Sequence, residues 1–346
     1  MRVFVVDTGE MGTSSGAILA RAGHEVTLLI QPYDSAQRAL YLNLRLAATW
    51  AKNTNYIHLP GVELPENIEF ADNFKNCANA DVILLAVPSK FLWSAIENIK
   101  PYLESNPKCI LTLLTKGFDS DGQIPVGLKL KNNLLLTLGY KNFAIISGYT
   151  PASYLANAYL TGRVYAASVA SYDLNIIKKL KRLFKGSGLG LIGTRDVVGS
   201  ALGGALKNAY AIGYGILRGL NKSDEAWAYL NLALCEMKIF LDYAGAKSKT
   251  LESPAVKADF RLTSIGEIDW ESRNVTFGKY LAEYHTAEEI KAYVQDPKHT
   301  VEGYESMKTL WQIAQDNKLY TPLLHRIHAI CEFIASPGTL SLVMKN

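Results

Sequence analysis

The sequence predicts an α/β protein in two parts: a doubly wound sheet in the N-terminal half and an all-helical domain in the C-terminal half. Short apolar runs alternate with helical patterns up to about Phe184, as in a sheet covered by helices on both faces. After Asp196 only helical patterns follow. The 346 residues suffice for two domains, which we place at 1–193 and 194–346.

The sheet begins with a strand–helix–strand unit. Arg2–Val6 is predicted as a strand, Thr13–Ala22 as a helix after a glycine-containing turn, and Glu25–Ile30 as the second strand. The run Asp81–Val87 is almost continuously apolar, which is typical of a parallel strand buried on both faces. The further predicted elements are the helix Phe91–Leu103 and the strands Cys109–Leu114, Phe143–Ser147, Val164–Ser168 and Leu189–Ile192.

The helical half begins with a run, 197–220, that is apolar on nearly all sides and is therefore expected to be buried. Between Val198 and Arg218 its one charged residue is Lys207. A lysine in such a helix must reach water along its stem, pair with a charge, or face a cavity that needs a cation. The helix alone does not decide between these. The other predicted helices are Glu225–Gly245, Ala287–Val294, Tyr304–Asn317 and Pro322–Ala335.

Composition excludes several classes of protein. The net charge of +4 is too small to indicate a nucleic-acid partner, although it suits a small anionic ligand. The four cysteines are far apart and form no CxxC pair, so we expect neither a metal site nor disulfides, and a reducing cytoplasm. Lys207 and Asn208 at the centre of 197–220 make that run a poor membrane span.

The turn after the first strand is the first candidate site. Asp7–Gly12 (DTGEMG) takes the place of the GxGxxG dinucleotide motif, in which the middle glycine lets the pyrophosphate approach and the third lets helix and strand pack. Gly9 and Gly12 supply these two, whereas Asp7 replaces the first. A carboxylate there repels a pyrophosphate unless it points away. In this strand–turn–helix setting we favour a Rossmann-like cofactor site over a purely structural turn.

The preference between NAD and NADP stays open. NAD sites often have an acid at the end of the second strand, but here that strand ends in Gln31 and Pro32. Asp34 comes slightly late, and Arg38 is too far along to indicate a partner for a 2′-phosphate.

Other polar residues follow the predicted strands. Ligands bind at the carboxyl ends of the strands in open α/β sheets, where Pro88–Lys90, Thr115–Gly117 and Ser147–Gly148 lie. Lys116 is the most suggestive of them, because it closes an apolar strand and precedes a glycine. The alternative interpretation of Lys116 is a solvated lysine in a turn.

The helical half offers a few more candidates. Arg273 and Asn274 suit a phosphate or carboxylate, or else a surface salt bridge. Asp259 is a lone acid and a candidate site residue, and the alternative interpretation is that it caps a helix. His325 and His328 lie three apart without a third ligand in sight and are better explained as a surface or core pair.

The segment Gly203–Asn208 (GGALKN) resembles the GALKN signature of glycerol-3-phosphate dehydrogenases. Other segments resemble the same family in the same order along nearly the whole chain. They are the glycine turn, Ala86–Ser89, Lys116–Gly117, Ser147–Gly148, Asp196–Gly199, Ser272–Asn274, Phe277–Gly278 and Val301–Gly303.

The resemblance implies NAD(P)-dependent interconversion of dihydroxyacetone phosphate and sn-glycerol 3-phosphate, in the supply of phospholipid backbones. The apolar helical domain would in addition support a homodimer. The resemblance implies that Lys207 is the catalytic acid/base, with Lys116 and Asp259 beside it. The substrate-binding residues it implies are Lys116, Ser147, Gly148, Asn208, Thr263, Arg273 and Asn274. The cofactor-binding residues it implies are Gly9, Glu10, Met11, Gly12, Pro88, Arg273 and Glu302.

The chain also departs from the family. Asp7 replaces a glycine that the family nearly always has, Asn221–Asp224 lacks a Gly-Asp-Asn pattern, and Asn231–Leu234 lacks the usual arginine. Residues 253–272 lack a glycine before Asp259 and carry about three extra residues. Two alternatives therefore remain: a same-fold dehydrogenase of another small phosphorylated or carboxylated keto compound, and a relative that binds without turnover.

Overall fold

The computed structural model of this chain describes residues 1–30, 54–55, 59–118, 125–148, 152–266, 271–283, 285–296, 299, 301–333 and 335–345. The chain divides into two compact units. The first contains Met1–Thr115 and Gly127–Val197, and the second contains Lys116–Val126 and Val198–Asn346. The domain boundary between 193 and 194 stays a prediction.

An eight-stranded sheet with flanking helices forms the first unit, as predicted. Its strand order is β10-β9-β8-β7-β6-β1-β2-β5, and all neighbouring strands are parallel except the antiparallel pair β8–β9. A separate antiparallel pair consists of β3 and β4. The strands are β1 (Arg2–Val6), β2 (Glu25–Leu29), β3 (Thr54–Asn55), β4 (Leu59–Glu63), β5 (Ile68–Ala71), β6 (Val82–Leu85), β7 (Ile110–Leu113), β8 (Phe143–Gly148), β9 (Tyr165–Ala170) and β10 (Leu189–Thr194).

The helices of this unit connect the strands. They are α1 (Glu10–Arg21), α2 (Leu92–Ser105), α3 (Val126–Leu138), α4 (Ala152–Thr161) and α5 (Leu174–Leu183). Helix α1 begins at Glu10, before the predicted start at Thr13, because Gly9 has the extended backbone of an N-cap. Glu10 and Met11 therefore belong to the first helical turn and not to the loop before it.

The order of the strands places a ligand crevice in the first unit. From β1 the chain builds the sheet outward through β2 on one side, and it returns to build through β6 on the other side. In open α/β sheets, ligands bind outside the carboxyl ends of the strands at such a switch point. The turn Asp7–Gly12 follows β1 and Pro88 follows β6, so both predicted cofactor segments lie at this switch point.

The second unit is helical, as predicted: among its described residues the one β-feature is the isolated bridge Phe118–Pro125. The helices are α6 (Val197–Gly219), α7 (Ser223–Tyr243), α8 (Asp259–Ile265), α9 (Arg273–Ala282), α10 (Ala287–Gln295), α11 (Glu302–Asp316), α12 (Pro322–Cys331) and α13 (Thr339–Val343). Helix α6 is buried from Gly199 to Leu217, which confirms the prediction of a core helix. Tyr210 on α6 and Tyr229 on α7 are among the largest fully buried side chains.

Two details bear on the site. A five-residue π-helical turn, Pro254–Ala258, leads directly into α8, which continues to Ile265. None of the helices within the described ranges is long and apolar enough to span a bilayer.

Candidate active site

Lys207 does not extend along its stem to water. It is 8% exposed, and its Nζ donates hydrogen bonds to Asp259 Oδ1 at 2.7 Å and to Thr263 Oγ1 at 2.9 Å. Burial lowers the pKa of Lys207 to about 8, the carboxylate of Asp259 opposes this change, and the positive charge of Lys116 adds to it. Of the possibilities for a lysine in this helix, pairing with a buried charge is the observed one.

Asp259 joins the two candidate lysines. Its Oδ2 accepts a hydrogen bond from Lys116 Nζ at 2.7 Å, while its Oδ1 accepts from Lys207. The carboxylate is 1% exposed, and its residue opens α8 while Ala258 is the N-cap, so capping does not explain it. The buried carboxylate of Asp259 is therefore paired with two ammonium groups at once.

Backbone packing brings Asp259 to Lys207. Gly203 lies four residues before Lys207 on α6, and a Cβ there would be 2.5 Å from Val256 Cγ2 and 2.8 Å from the Ala255 carbonyl oxygen. Real Cβ atoms essentially never come so close. The glycine therefore lets the π-helical turn lie against α6, and this turn delivers Asp259 directly at its end.

A chain of amides connects α6, α9 and α11. The backbone N–H of Gly303 donates to Asn274 Oδ1 at 2.9 Å, Asn274 Nδ2 donates to Asn208 Oδ1 at 3.1 Å, and Asn208 Nδ2 donates to Glu302 Oε2 at 3.1 Å. A backbone N–H can only donate and an ionised carboxylate can only accept. The two ends therefore fix the orientation of both amides, each of which donates one of its two N–H bonds within the chain.

Arg273 is the exposed first residue of α9. Ser272 caps this helix through its Oγ, which accepts the backbone N–H of Val275 at 3.2 Å. The cap fixes where the helix starts, and so it puts the guanidinium of Arg273 on the first turn, directly before the buried Asn274.

The glycine turn of the first unit fits a dinucleotide in most respects. A Cβ on Gly12 would lie 2.4 Å from the carbonyl oxygen of Asp7 and 3.6 Å from Ala86 Cβ, which is the close helix–strand packing expected of the third glycine. Gly9 caps α1, whose N-terminus carries the partial positive charge that pyrophosphates favour. Pro88 caps the short 3-10 helix after β6. Asp7 is the residue that does not fit the dinucleotide motif, because it stands in place of the first glycine.

Ser147 and Gly148, at the end of β8, have different explanations. Ser147 Oγ is buried and has no hydrogen-bond partner within the described part of the chain, which suits a ligand contact. Gly148 has a φ of 152°, and a Cβ there would lie 2.8 Å from the Cα of Ala167, its partner across the antiparallel pair. The pairing of β8 with β9 therefore requires a glycine at 148 whether or not a ligand binds.

The sequence prediction missed a buried acid beside α6, the helix of Lys207. Burial raises the pKa of Glu236 on α7 to about 7, although its carboxylate accepts hydrogen bonds from the backbone N–H groups of Leu323 and Leu324 and from the Tyr210 hydroxyl. Tyr210 lies one turn after Lys207 on α6. The available signal was a lone glutamate at a position where the helical pattern of α7 places its apolar face.

The residues considered for cofactor preference, Gln31, Pro32, Asp34 and Arg38, lie outside the described residues. The choice between NAD and NADP therefore stays open.

Comparison with known proteins identifies the family. The family model for the N-terminus of NAD-dependent glycerol-3-phosphate dehydrogenase matches residues 2–173, and the model for its C-terminus matches residues 196–340. A glycerol-3-phosphate dehydrogenase (NAD(P)+) from Francisella tularensis subsp. novicida is 28% identical over 338 residues, 97% of this chain and 94% of the relative. One from Pseudoalteromonas translucida is 29% identical over 332 residues, 95% and 91% of the two chains.

A solved structure agrees. The crystal structure of glycerol-3-phosphate dehydrogenase from Coxiella burnetii superimposes with a TM-score of 0.81 at 26% identity, covering 99% of this chain and 97% of that one. These matches confirm the resemblance inferred from the GALKN segment. The chain belongs to the NAD-dependent glycerol-3-phosphate dehydrogenase family.

Proposed function

We propose that this protein interconverts dihydroxyacetone phosphate and sn-glycerol 3-phosphate with NAD(P)H, and that Lys207 is the general acid/base. The observation that carries the proposal is the buried ammonium group of Lys207, held by Asp259 and Thr263 within the GALKN helix. A bound nicotinamide cofactor supplies the hydride for reduction and accepts it in oxidation.

Lys207 suits the proton transfer. When hydride adds to the carbonyl carbon, the C=O π bond breaks and its electron pair moves to oxygen, which takes a proton from the ammonium group. In the reverse direction the neutral amine removes that proton from the hydroxyl. A pKa of about 8 keeps both forms accessible near neutral pH.

The hydrogen bonds of Lys207 also orient it. Two of the three N–H bonds of the ammonium group are donated to Asp259 and Thr263. We assign the third to the oxygen of the substrate that changes between ketone and alcohol. Fixing the donor in this way reduces the ordering needed to reach the transition state.

The phosphate of the substrate is assigned to α9 and its neighbours. Arg273 offers a guanidinium group, which binds phosphate oxygens in a bidentate manner. The second N–H bonds of Asn208 and Asn274 are the remaining donors, and their orientation is fixed by the amide chain.

The remaining assignments follow the family resemblance. Gly9, Glu10, Met11, Gly12 and Pro88 are assigned to the cofactor, and their place at the switch point of the sheet supports this. Arg273 and Glu302 are also assigned to it. Ser147 and Gly148 are assigned to the substrate, with the buried Ser147 hydroxyl as the supporting observation.

We also propose that the protein is a cytoplasmic homodimer. Its four cysteines are free, three of them buried, as suits a reducing compartment. Light scattering of the purified protein would test the dimer: a mass of one chain would reject it.

The reaction is tested by the oxidation of NADH and NADPH with dihydroxyacetone phosphate, followed by the loss of reduced-nicotinamide absorbance. We expect turnover, and loss of general acid catalysis in Lys207→Ala should lower kcat by about 10²- to 10⁴-fold. Lys238→Ala, which removes an exposed lysine of α7, is the matched control and should leave kcat unchanged. An unchanged kcat in Lys207→Ala would reject the assigned role. Tight cofactor binding without turnover would indicate another substrate.

A further inference from the structure

Asp7 is unusual in both its backbone and its burial. It follows β1 directly, has a φ of 129° that non-glycine residues rarely adopt, and is 6% exposed. An acidic residue in a conformation suited to glycine is held there by its surroundings. The GxGxxG motif has a glycine at this position of the turn, and Asp7 takes its place in this chain.

The carboxylate of Asp7 lies in the space that Gly9 leaves open. A Cβ built on Gly9 would be 2.8 Å from Asp7 Oδ2 and 3.7 Å from Asp7 Cγ. In dinucleotide sites the middle glycine lacks a side chain so that the pyrophosphate can approach the backbone. Here the missing side chain of Gly9 admits the carboxylate of Asp7.

We propose that the Asp7 carboxylate acts as an internal anion in the pyrophosphate turn and lowers the affinity of this protein for its dinucleotide cofactor. The inference rests on the proposed function, because it requires that a nicotinamide dinucleotide binds at this turn.

Two effects act in the same direction. A pyrophosphate that approaches Gly9 meets a like charge at short distance, which raises the free energy of the bound state. The positive end of α1 attracts any anion, and so it stabilises the carboxylate in the position that the cofactor would take. The cofactor must therefore either displace the Asp7 carboxylate or bind while the carboxylate repels its pyrophosphate.

The test is the dissociation constant for NADH and for NADPH, measured by calorimetric titration on the full chain. Asp7→Asn removes the charge at nearly constant shape, and asparagine tolerates a positive φ better than most residues. Asp7→Gly removes the charge, the bulk and the backbone conflict together. Glu25→Gln is the matched control. It removes one negative charge at the exposed amino end of β2, which pairs with the amino end of β1 and so lies at the other end of the strands from the turn.

We expect Asp7→Asn to lower Kd by at least about tenfold, equivalent to about 1.4 kcal/mol, and Asp7→Gly to lower it at least as much. Glu25→Gln should bind as the parent does. Equal Kd values for the parent and Asp7→Asn would overturn the inference. If neither the parent nor Asp7→Gly binds either cofactor while each variant unfolds in one cooperative thermal transition, the proposed function fails, and this inference fails with it.

Discussion

Replacement of Asp259 by asparagine tests the electrostatic basis of the proposed catalysis. The buried carboxylate accepts one hydrogen bond on each oxygen, from Lys207 and from Lys116, both at 2.7 Å. Asparagine keeps the shape, removes the charge, and turns an amide N–H₂ toward one of the two ammonium groups. Loss of a buried charge partner typically costs about 3–5 kcal/mol.

The consequence for Lys207 is a lower pKa. The parent value is about 8, and the Asp259 carboxylate raises it against burial and against Lys116. Because about 1.4 kcal/mol corresponds to one pH unit, the charged form of Lys207 should become unstable near neutral pH in the variant. We expect its pKa to fall by roughly two pH units or more.

The pH dependence of kcat has a definite sign. Reduction of the ketone needs protonated Lys207, so the rate in the parent should fall as the pH rises through about 8. In Asp259→Asn the same fall should occur at lower pH. Oxidation of the alcohol needs the neutral amine, so its rising limb should move in the same direction.

The assay is kcat against pH in both directions, with saturating substrates. Asp242→Asn is the matched control, because it removes the carboxylate partner of the exposed Lys238 on α7 and should leave the profile unchanged. A profile of Asp259→Asn that is lower at every pH but has the parent midpoint would refute the reasoning, since it would show that Asp259 does not set the pKa of the titrating group.

Three other substitutions have expected outcomes. Because burial raises the pKa of Glu236 from 4.5 to about 7, its protonated form stabilises the native state at acid pH, and about 3 kcal/mol of this stability is lost as the pH rises from about 4.5 to about 7. Glu236→Gln should lack this loss in urea unfolding curves measured at the two ends of that pH range. Gly203→Ala should push the π-helical turn at Ala255 away from α6, lower the free energy of unfolding by about 1–3 kcal/mol and reduce kcat; unchanged values of both would contradict the packing argument. Asp7→Gly should raise the free energy of unfolding by about 1 kcal/mol, because it relieves a strained positive φ; a lower thermal midpoint would show that the native contacts of Asp7 outweigh this strain.

Much of the fold was predictable because its central strands are buried and therefore appear in the sequence as apolar runs. β6 and, after Arg2, the rest of β1 are continuously apolar, as burial on both faces demands. The edge strand β5 was not named from the sequence, because Glu69 and its partly exposed neighbours lack that pattern. No local pattern predicts that β9 runs antiparallel to β8, since strand direction is set by the path of the chain and not by composition.

The residues of the candidate site were easier to predict from the sequence than the hydrogen bonds that join them. Lys207 is conspicuous as a charge in an apolar helix, and the family resemblance suggested Asp259. Their hydrogen bond joins residues 52 positions apart, and the bond to Lys116 spans 143 positions. No local pattern specifies such distances. The π-helical turn at Pro254–Ala258, within the segment where the family comparison inferred extra residues, ends directly at Asp259 and so keeps it within reach.

The two candidate sites differ in their electrostatic state. In the second unit, the buried carboxylate of Asp259 accepts hydrogen bonds from Lys116 and Lys207, beside which we propose that a phosphorylated substrate binds. In the first unit, the turn that should receive a pyrophosphate already contains the carboxylate of Asp7. We expect a phosphate to be attracted by the ammonium groups of the first arrangement and a pyrophosphate to be repelled by the carboxylate of the second. On the proposals made above, the change of Asp7 from the glycine of the dinucleotide motif therefore affects the binding of the cofactor, whereas the proton transfer by Lys207 keeps its hydrogen-bond partners.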